Sequence, residues 1–321
     1  MRYSLKCMVL AAAVAMGATQ AFAQDKPVAI GTLPQGSLGF SIAAAVAKVG
    51  TEKAGLQVRA IGQGGSSVYI PKVNSGELEF GTSNTFEAIF ATQGTGNFEG
   101  RKHPNLRVVA MLSPFTVGLM VAKDSDIKQV TDLKGKPFPT GYAKQRLVGV
   151  MQEAIFNAVG MSEEDLQPVP VPNFVKGAEL LAEGKVAGVL LAPGSGVVKK
   201  THAQRPVRFI TIPNDPKVEA AIQKSLPGSR LVEVKPNSRL VSIAEPVHLV
   251  GYQYALVTND KVADDVVYRL VKALHDNKAG LVESHGVFRE FDPSKMAPKL
   301  DGATYHPGAV KFYKDAGNWQ E

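Results

Sequence analysis

Three short loops of glycine, serine and other small polar residues each follow a predicted strand and precede a predicted helix, at residues 31–37, 62–67 and 81–85. A helix N-terminus presents free backbone N–H groups and a positive dipole end, which suit a carboxylate or phosphate. The alternative is that the glycines only form tight turns and the polar side chains only cap the helices. The residues expected to contact a ligand are Gly36, Ser37, Leu38, Gly64, Gly65, Ser66, Ser83, Asn84 and Thr85.

Another loop is basic and lies before the predicted helix at residues 147–159. We expect Arg146 or Lys144 to hold a carboxylate of the ligand, because the planar guanidinium of arginine binds carboxylates with two hydrogen bonds. The alternative is a solvated charged turn, the usual place of lysine and arginine. The neighbouring candidates are Tyr142 and Gln145, and a further small-residue loop at 192–196 adds Gly194 and Ser195.

The catalytic motifs that these loops resemble are all incomplete. Residues 31–37 match part of a phosphate-binding P-loop, but the lysine that this loop needs is missing, and residues 62–67 lack the last glycine of the dinucleotide fingerprint. Ser195 has Pro193 and Val197 where a nucleophile elbow needs glycines. We therefore expect neither an enzyme nor a cofactor, while a metal site built from distant histidines and carboxylates stays open as a less favoured alternative.

The first 23 residues predict a cleaved secretory signal peptide. Arg2 and Lys6 form the basic start, an apolar segment follows, and Ala21-Phe22-Ala23 is a small-x-small cleavage site. The processed chain would begin at Gln24 and keep 298 of the 321 residues. Cys7 is the only cysteine and lies in the signal, so the processed chain has no disulfide and no thiol. We expect a periplasmic protein.

The composition indicates an exported α/β protein of about two domains. The net charge is +7 for the full chain and +5 without Arg2 and Lys6, with no dense basic tract. This balance fits an anionic ligand or a membrane-facing partner, and no motif supports binding to nucleic acid. Strand, loop and helix succeed one another three times in the first part of the chain and again around residues 166–196, which predicts parallel sheets with ligands beyond the carboxyl ends of the strands.

The order and spacing of several segments resemble the TAXI family of solute receptors, which serve tripartite ATP-independent periplasmic (TRAP) transporters. The segments that carry this resemblance are 30–40, 62–66, 74–81, 131–136 and 305–313, and the resemblance covers nearly all of the processed chain. The first loop, Pro34-Gln35-Gly36-Ser37-Leu38-Gly39, departs from the Gly-Ser-Thr-Gly-Gly type usual in the family. The basic turn 144–147 replaces the usual small loop of the second lobe.

The resemblance implies a type II-like periplasmic binding protein with two α/β lobes, each a mostly parallel sheet flanked by helices. The ligand would be a small organic anion, glutamate-like or a dicarboxylate, held in the interlobe cleft and delivered by a monomer to the permease subunits. The resemblance and the second occurrence of the strand-loop-helix pattern, after residue 117, together place lobe 1 at residues 24–114 plus 254–321 and an inserted lobe 2 at 115–253. An enzyme on the same scaffold and a receptor module for a membrane sensor remain alternatives.

Overall fold

The computed structural model describes residues 27–319. Its strands are β1 (Val28–Thr32), β2 (Val58–Gly62), β3 (Phe80–Asn84), β4 (Leu106–Ala122), β5 (Pro137–Thr140), β6 (Gln167–Pro170), β7 (Gly188–Leu191), β8 (Val207–Phe209), β9 (Arg230–Val234) and β10 (Val247–Asn259). Its α-helices are α1 (Leu38–Lys53), α2 (Ser66–Ser75), α3 (Thr85–Gln93), α4 (Arg146–Ala158), α5 (Phe174–Ala182), α6 (Gly196–Gln204), α7 (Pro216–Ser225), α8 (Asp264–Asp276), α9 (Lys278–Ser284) and α10 (Pro307–Asp315). Short 3-10 helices lie at Gly96–Phe98, Val130–Leu133, Glu163–Asp165, Gly286–Glu290 and Pro293–Lys295. The predicted signal peptide, with Cys7 and the cleavage site, lies outside the described residues.

The main sheet has the strand order β2-β1-β3-β10-β4-β7, with β8 paired to β4 and β9 paired to β10. Strands β1, β2 and β3 are parallel, as the three strand-loop-helix units predict. Strand β10, however, is antiparallel to β3, β4 and β9, and β4 is antiparallel to β7 and β8. The sheet is therefore mixed, and the expectation of mostly parallel sheets is wrong, because β10 returns from a distant part of the chain and inserts beside β3.

Two long strands connect the halves of the molecule. Strand β4 pairs with β10 along Leu106–Val117 and then with β7 and β8 along Gly118–Ala122. Strand β10 pairs with β9 along Val247–Gly251 and with β3 along Tyr254–Thr258. The hydrogen-bonded path is consequently continuous from β1 to β7, and each long strand belongs to both halves.

The first lobe contains β1–β3, α1–α3 and α8–α10, and the second contains β5–β9 and α4–α7. In the second lobe β5 and β6 form a parallel pair, and Ala187 N donates to Pro137 O over 2.8 Å just before β7. The buried apolar side chains form a core on which the helices of each lobe pack. This arrangement confirms the predicted two-lobed α/β fold. Within residues 27–319, no helix combines the length and the apolar character that crossing a bilayer requires.

Candidate functional site

A cavity lies between the lobes and is lined by both of them. Its empty volume is about 550 Å³, including the part that is open to solvent. The first lobe contributes the loop after β1, the first turns of α1, α2 and α3, and side chains of β4 and β10. The second lobe contributes α4, the start of α5, and β7 with the loop that follows it. A cleft between two lobes that is mostly apolar and has a few polar groups is typical of sites for small molecules.

Six of the residues singled out from the sequence line this cavity: Ser37, Leu38, Ser66, Asn84, Gln145 and Ser195. All six are buried. They come from the first, second and third small-residue loops, from the basic loop and from the loop after β7. One or two residues of each of these loops thus line the same cavity.

Two of these hydroxyl groups cap helices as well as lining the cavity. Ser37 Oγ accepts a hydrogen bond from Phe40 N over 3.0 Å at the start of α1. Ser195 Oγ accepts one from Val198 N over 3.3 Å at the start of α6. Each hydroxyl can still donate to a ligand, because a cap uses only its acceptor function.

Three of the predicted glycines hold the lobes together instead of lining the cavity. Gly64 O accepts from Asn173 Nδ2 over 3.1 Å, and Gly36 O accepts from Val197 N over 3.1 Å. A Cβ atom on Gly65 would lie 2.2 Å from the Lys144 carbonyl oxygen, a distance that no side chain tolerates. The glycine loops therefore permit close contact between lobes, a role that neither the ligand nor the turn interpretation predicted.

The basic loop does not place a cation in the cavity. Lys144 and Arg146 are exposed, and the Lys144 side chain lies along Gly64. The Arg146 backbone N donates to Ser67 Oγ over 3.1 Å, which is again a contact between lobes. Among the described residues, none of those lining the cavity is lysine, arginine or histidine. The predicted cationic anchor is therefore not found there.

The other candidates lie near the cavity without lining it. Ser83 and Thr85 are buried beside Asn84, and Ser83 Oγ donates to the Asn84 carbonyl oxygen over 3.1 Å. Tyr142 is fully buried, and its hydroxyl donates to Gln152 Oε1 over 3.0 Å inside the second lobe. Gly194 belongs to a neighbouring groove. These four residues lie outside the lining of the cavity.

Glu87 is the charged residue that the sequence predictions missed. It lies in the first turn of α3, lines the cavity and is only 2% exposed. Asn97 Nδ2 donates to Glu87 Oε1 over 2.8 Å, and Ser83 Oγ donates to Oε2 over 3.5 Å. Burial raises the pKa of Glu87 to about 7, and hydrogen bonding from Ser66, Asn97 and Ser83 offsets only part of this effect.

Four aromatic side chains form one wall of the cavity together with Glu87: Tyr69, Phe115, Tyr252 and Tyr254. The Phe115 ring lies 4.7 Å from the Tyr254 ring and 5.4 Å from the Tyr252 ring, centre to centre. Burial raises the pKa of all three tyrosines well above the usual value, so that they stay neutral. Tyr252 and Tyr254 are two residues apart on β10 and therefore share a face, which is a signal that the sequence contained.

Two polar atoms in the lining have no hydrogen-bond partner among the described residues. Gln145 Oε1 is contributed by the second lobe and Ser66 Oγ by the first. The Ser66 hydroxyl lies close enough to Glu87 to lower its pKa, yet it forms no well-oriented hydrogen bond. Because buried polar groups normally have partners, these atoms point to a bound molecule or water.

A larger groove, of about 1740 Å³ with open solvent included, adjoins the cavity and shares Leu38, Phe115 and Tyr252 with it. Its lining is basic. The cations are Lys199, Arg230, Lys235, Arg239 and Arg289, and the carboxylates are Glu233 and Glu290. The groove is thus mainly positive, whereas the adjoining cavity contains a single ionisable carboxyl group, that of Glu87.

The part of the chain that the structure describes contains no group of three or more histidine, cysteine, aspartate or glutamate side chains arranged to hold a metal ion. The cavity lining likewise holds no serine next to a histidine. Its polar groups, which are hydroxyls, amides and one carboxyl, can donate and accept hydrogen bonds to a small molecule.

Several solved structures share this fold at low sequence identity. The alkanesulfonate-binding protein SsuA from Xanthomonas axonopodis pv. citri, bound to MOPS, matches with a TM-score of 0.52 and 12% identity over 91% of each chain. MatC from Rhodopseudomonas palustris, with bound malate, matches with a TM-score of 0.54 and 11% identity over 82% of this chain and 88% of that one. An ancestral arginine-binding protein bound to arginine matches with a TM-score of 0.53 and 16% identity over 84% of this chain and 100% of that one.

These likenesses identify the fold as the two-domain α/β fold of periplasmic binding proteins. A family model matches residues 30–317, which is almost the whole of the described chain. The chain belongs to the NMT1-like family.

Proposed function

We propose that this protein is the solute-binding component of a membrane transporter and holds one small organic molecule in the cavity between its lobes. The observation that carries the proposal is the cavity itself, since side chains of both lobes line it and neither lobe encloses it alone. The fold and the family membership support the same function. Binding by enclosure between two lobes needs only complementary hydrogen bonds and apolar contact, which the lining supplies.

We further propose that the lobes separate and close about the two connecting strands. Each of β4 and β10 changes its partners near the middle, at about Val117–Gly118 and Gly251–Tyr254. We place the proposed lobe boundaries near these positions, at residues 114–115 and 253–254. Hinges typically consist of a few residues that join two rigid bodies. The loop contacts of Gly36, Gly64 and Gly65 with the second lobe would form in the closed state and break in the open one.

The partner and the location belong to the same proposal. The protein would act in the periplasm after removal of residues 1–23, as a monomer, and pass its solute to a permease. The sequence resemblance favours a TRAP permease of the TAXI type, driven by an ion gradient, whereas one solved structure with the same fold is the substrate-binding protein of an amino acid ABC transporter. A fold shared at low identity does not choose between the two, so the permease type is best tested by co-purification with membranes of the source cell.

The test of the proposed function is a thermal-shift screen of the processed chain with amino acids, amines, organic acids and sulfonates. A solute at about 100 times its dissociation constant stabilises the folded state by about 2.7 kcal/mol. Isothermal titration then gives the stoichiometry, which should be one per chain, and mass spectrometry of the incubated solute should show it unchanged. Conversion of the solute would support the enzyme alternative, and a screen in which no solute binds would refute the proposed function.

A further inference from the structure

The chemistry of the cavity is set by a carboxyl group without a cationic partner. Glu87 is 2% exposed, and among the described residues the lining contains no lysine, arginine or histidine. Asn97 Nδ2 donates to the carboxyl group over 2.8 Å, whereas Ser83 Oγ lies 3.5 Å from it and closer, at 3.1 Å, to the Asn84 carbonyl oxygen. A carboxylate has about four acceptor positions, so some of them remain available to a ligand.

The other groups in the lining also favour a ligand rich in hydrogen-bond donors. Gln145 Oε1 is an acceptor without a partner, and it lies on the lobe opposite Glu87. The rings of Phe115, Tyr252 and Tyr254 lie beside one another in the lining, and aromatic rings attract organic cations. An anion in this cavity would find no opposite charge and would face Glu87 instead.

We propose that Glu87 selects the ligand, and that the ligand carries a protonated amine, amidine or guanidine group that binds to the Glu87 carboxylate inside the cavity. This inference rests on the proposed solute-binding function and deepens it. The ion pair would form as the lobes close, with Gln145 accepting a second N–H from the opposite side. An acidic group on the same ligand would lie toward the basic groove, where Arg230 and Arg239 are among the cations.

Burial without a cationic partner in the cavity lining accounts for the raised pKa of Glu87. A desolvated carboxylate without a counter-ion is costly, so the group holds a proton up to a pH of about 7. The titratable groups that couple to it are Tyr69 on α2 and Tyr252 and Tyr254 on β10, and all three stay neutral at that pH. A cationic ligand would release this proton, which makes its affinity depend on pH in a defined direction.

The experiment compares three classes of probe on shared carbon skeletons. The amines are butylamine, phenethylamine and agmatine, the acids are butyrate, 3-phenylpropionate and succinate, and the neutral probes are butanol and 2-phenylethanol. Each is titrated against the processed chain and against Glu87→Gln, which keeps the size and polarity of the side chain. The control is Glu77→Gln, the same chemical change at an exposed glutamate that pairs with Lys72 on the surface.

We expect the amines to bind the unmodified chain and the Glu77→Gln variant equally, and to bind Glu87→Gln at least about 30-fold more weakly, as for loss of one partner of a buried charge pair. Amine affinity should fall about tenfold for each pH unit below 7, because the carboxyl proton must leave. Circular dichroism of Glu87→Gln should match that of the unmodified chain.

Three results would overturn the inference. Acids that bind where amines do not would show that the site takes anions, and the proposed function would stand. Amines that bind Glu87→Gln as tightly as the unmodified chain would place their site elsewhere. Binding of no probe of any class would count against both the inference and the proposed function.

Discussion

Replacing Glu87 with glutamine should stabilise the protein at neutral and alkaline pH. Burial raises the pKa of Glu87 from 4.5 to about 7, so between these values the folded state holds a proton that the unfolded chain has lost. The contribution of this group to stability is therefore present below about pH 4.5 and is lost as the pH rises through 7. At 1.36 kcal/mol per pKa unit, the loss amounts to about 3 kcal/mol. Glutamine does not titrate, so the Glu87→Gln variant does not lose this stability as the pH rises.

The assay is thermal unfolding of the ligand-free chain at several pH values from 4.5 to 8. For a chain of this length, about 3 kcal/mol corresponds to roughly 5 °C in Tm. The difference in Tm between Glu87→Gln and the unmodified chain should grow by about that amount from pH 4.5 to 8, while Glu77→Gln should follow the unmodified chain at every pH. Parallel curves for Glu87→Gln would refute the reasoning, because they would mean that the carboxyl group is solvated and that the cavity is not dry.

The remaining predictions concern the loops. Gly65→Ala should weaken binding of any solute at least about tenfold, because the added Cβ would collide with the Lys144 carbonyl oxygen and oppose closure of the lobes. The control is Gly149→Ala in α4, where there is space for a Cβ, and it should leave the affinity measured by titration unchanged. Lys144→Ala should change solute affinity less than about twofold, because an exposed side chain contributes little. A 30-fold loss of affinity on titration would instead support the hypothesis that Lys144 holds a carboxylate of the ligand. Ser37→Ala should lower the free energy of unfolding by about 1 kcal/mol through loss of the α1 cap, as measured by denaturant unfolding, and an unchanged midpoint would contradict that role.

The local elements of this fold are predictable because neighbours in sequence determine them. Helix α10 begins at Pro307, a residue type that suits the first helical turn, and His306 is its N-cap. Its Nδ1 accepts from Gly308 N over 3.2 Å, while Nε2 lies 3.0 Å from Val262 O. A cap of this kind depends on three or four consecutive residues, and a sequence pattern contains them all.

The elements that the sequence missed depend on distant partners. In the sequence, the apolar segments 106–112 and 117–122 are separated by a stretch that contains Pro114. The structure joins them, since β10 pairs with β4 across this point with register shifts. β9 likewise pairs with a distant segment, Val247–Gly251 of β10. Such pairings exist only after the chain has returned from lobe 2.

The same reason explains why the sequence indicated the loops of the site but not its chemistry. Small residues before helices are visible as a pattern, and Ser37, Ser66, Asn84 and Ser195 were found in this way, while Gln145 was found as a neighbour of the two cations of the basic loop. Glu87 lies in the first turn of a helix, where an acidic residue is expected for its interaction with the helix dipole, so its sequence context gives no sign of a ligand. The role of Glu87 in the site becomes evident only in the fold, where Asn97 and the tyrosines of β10 surround its carboxyl group and exclude water. Conversely, Arg146 looked like an anchor because of its residue type, but a side chain binds a ligand only if its element directs it inward, and the start of α4 directs this one to solvent.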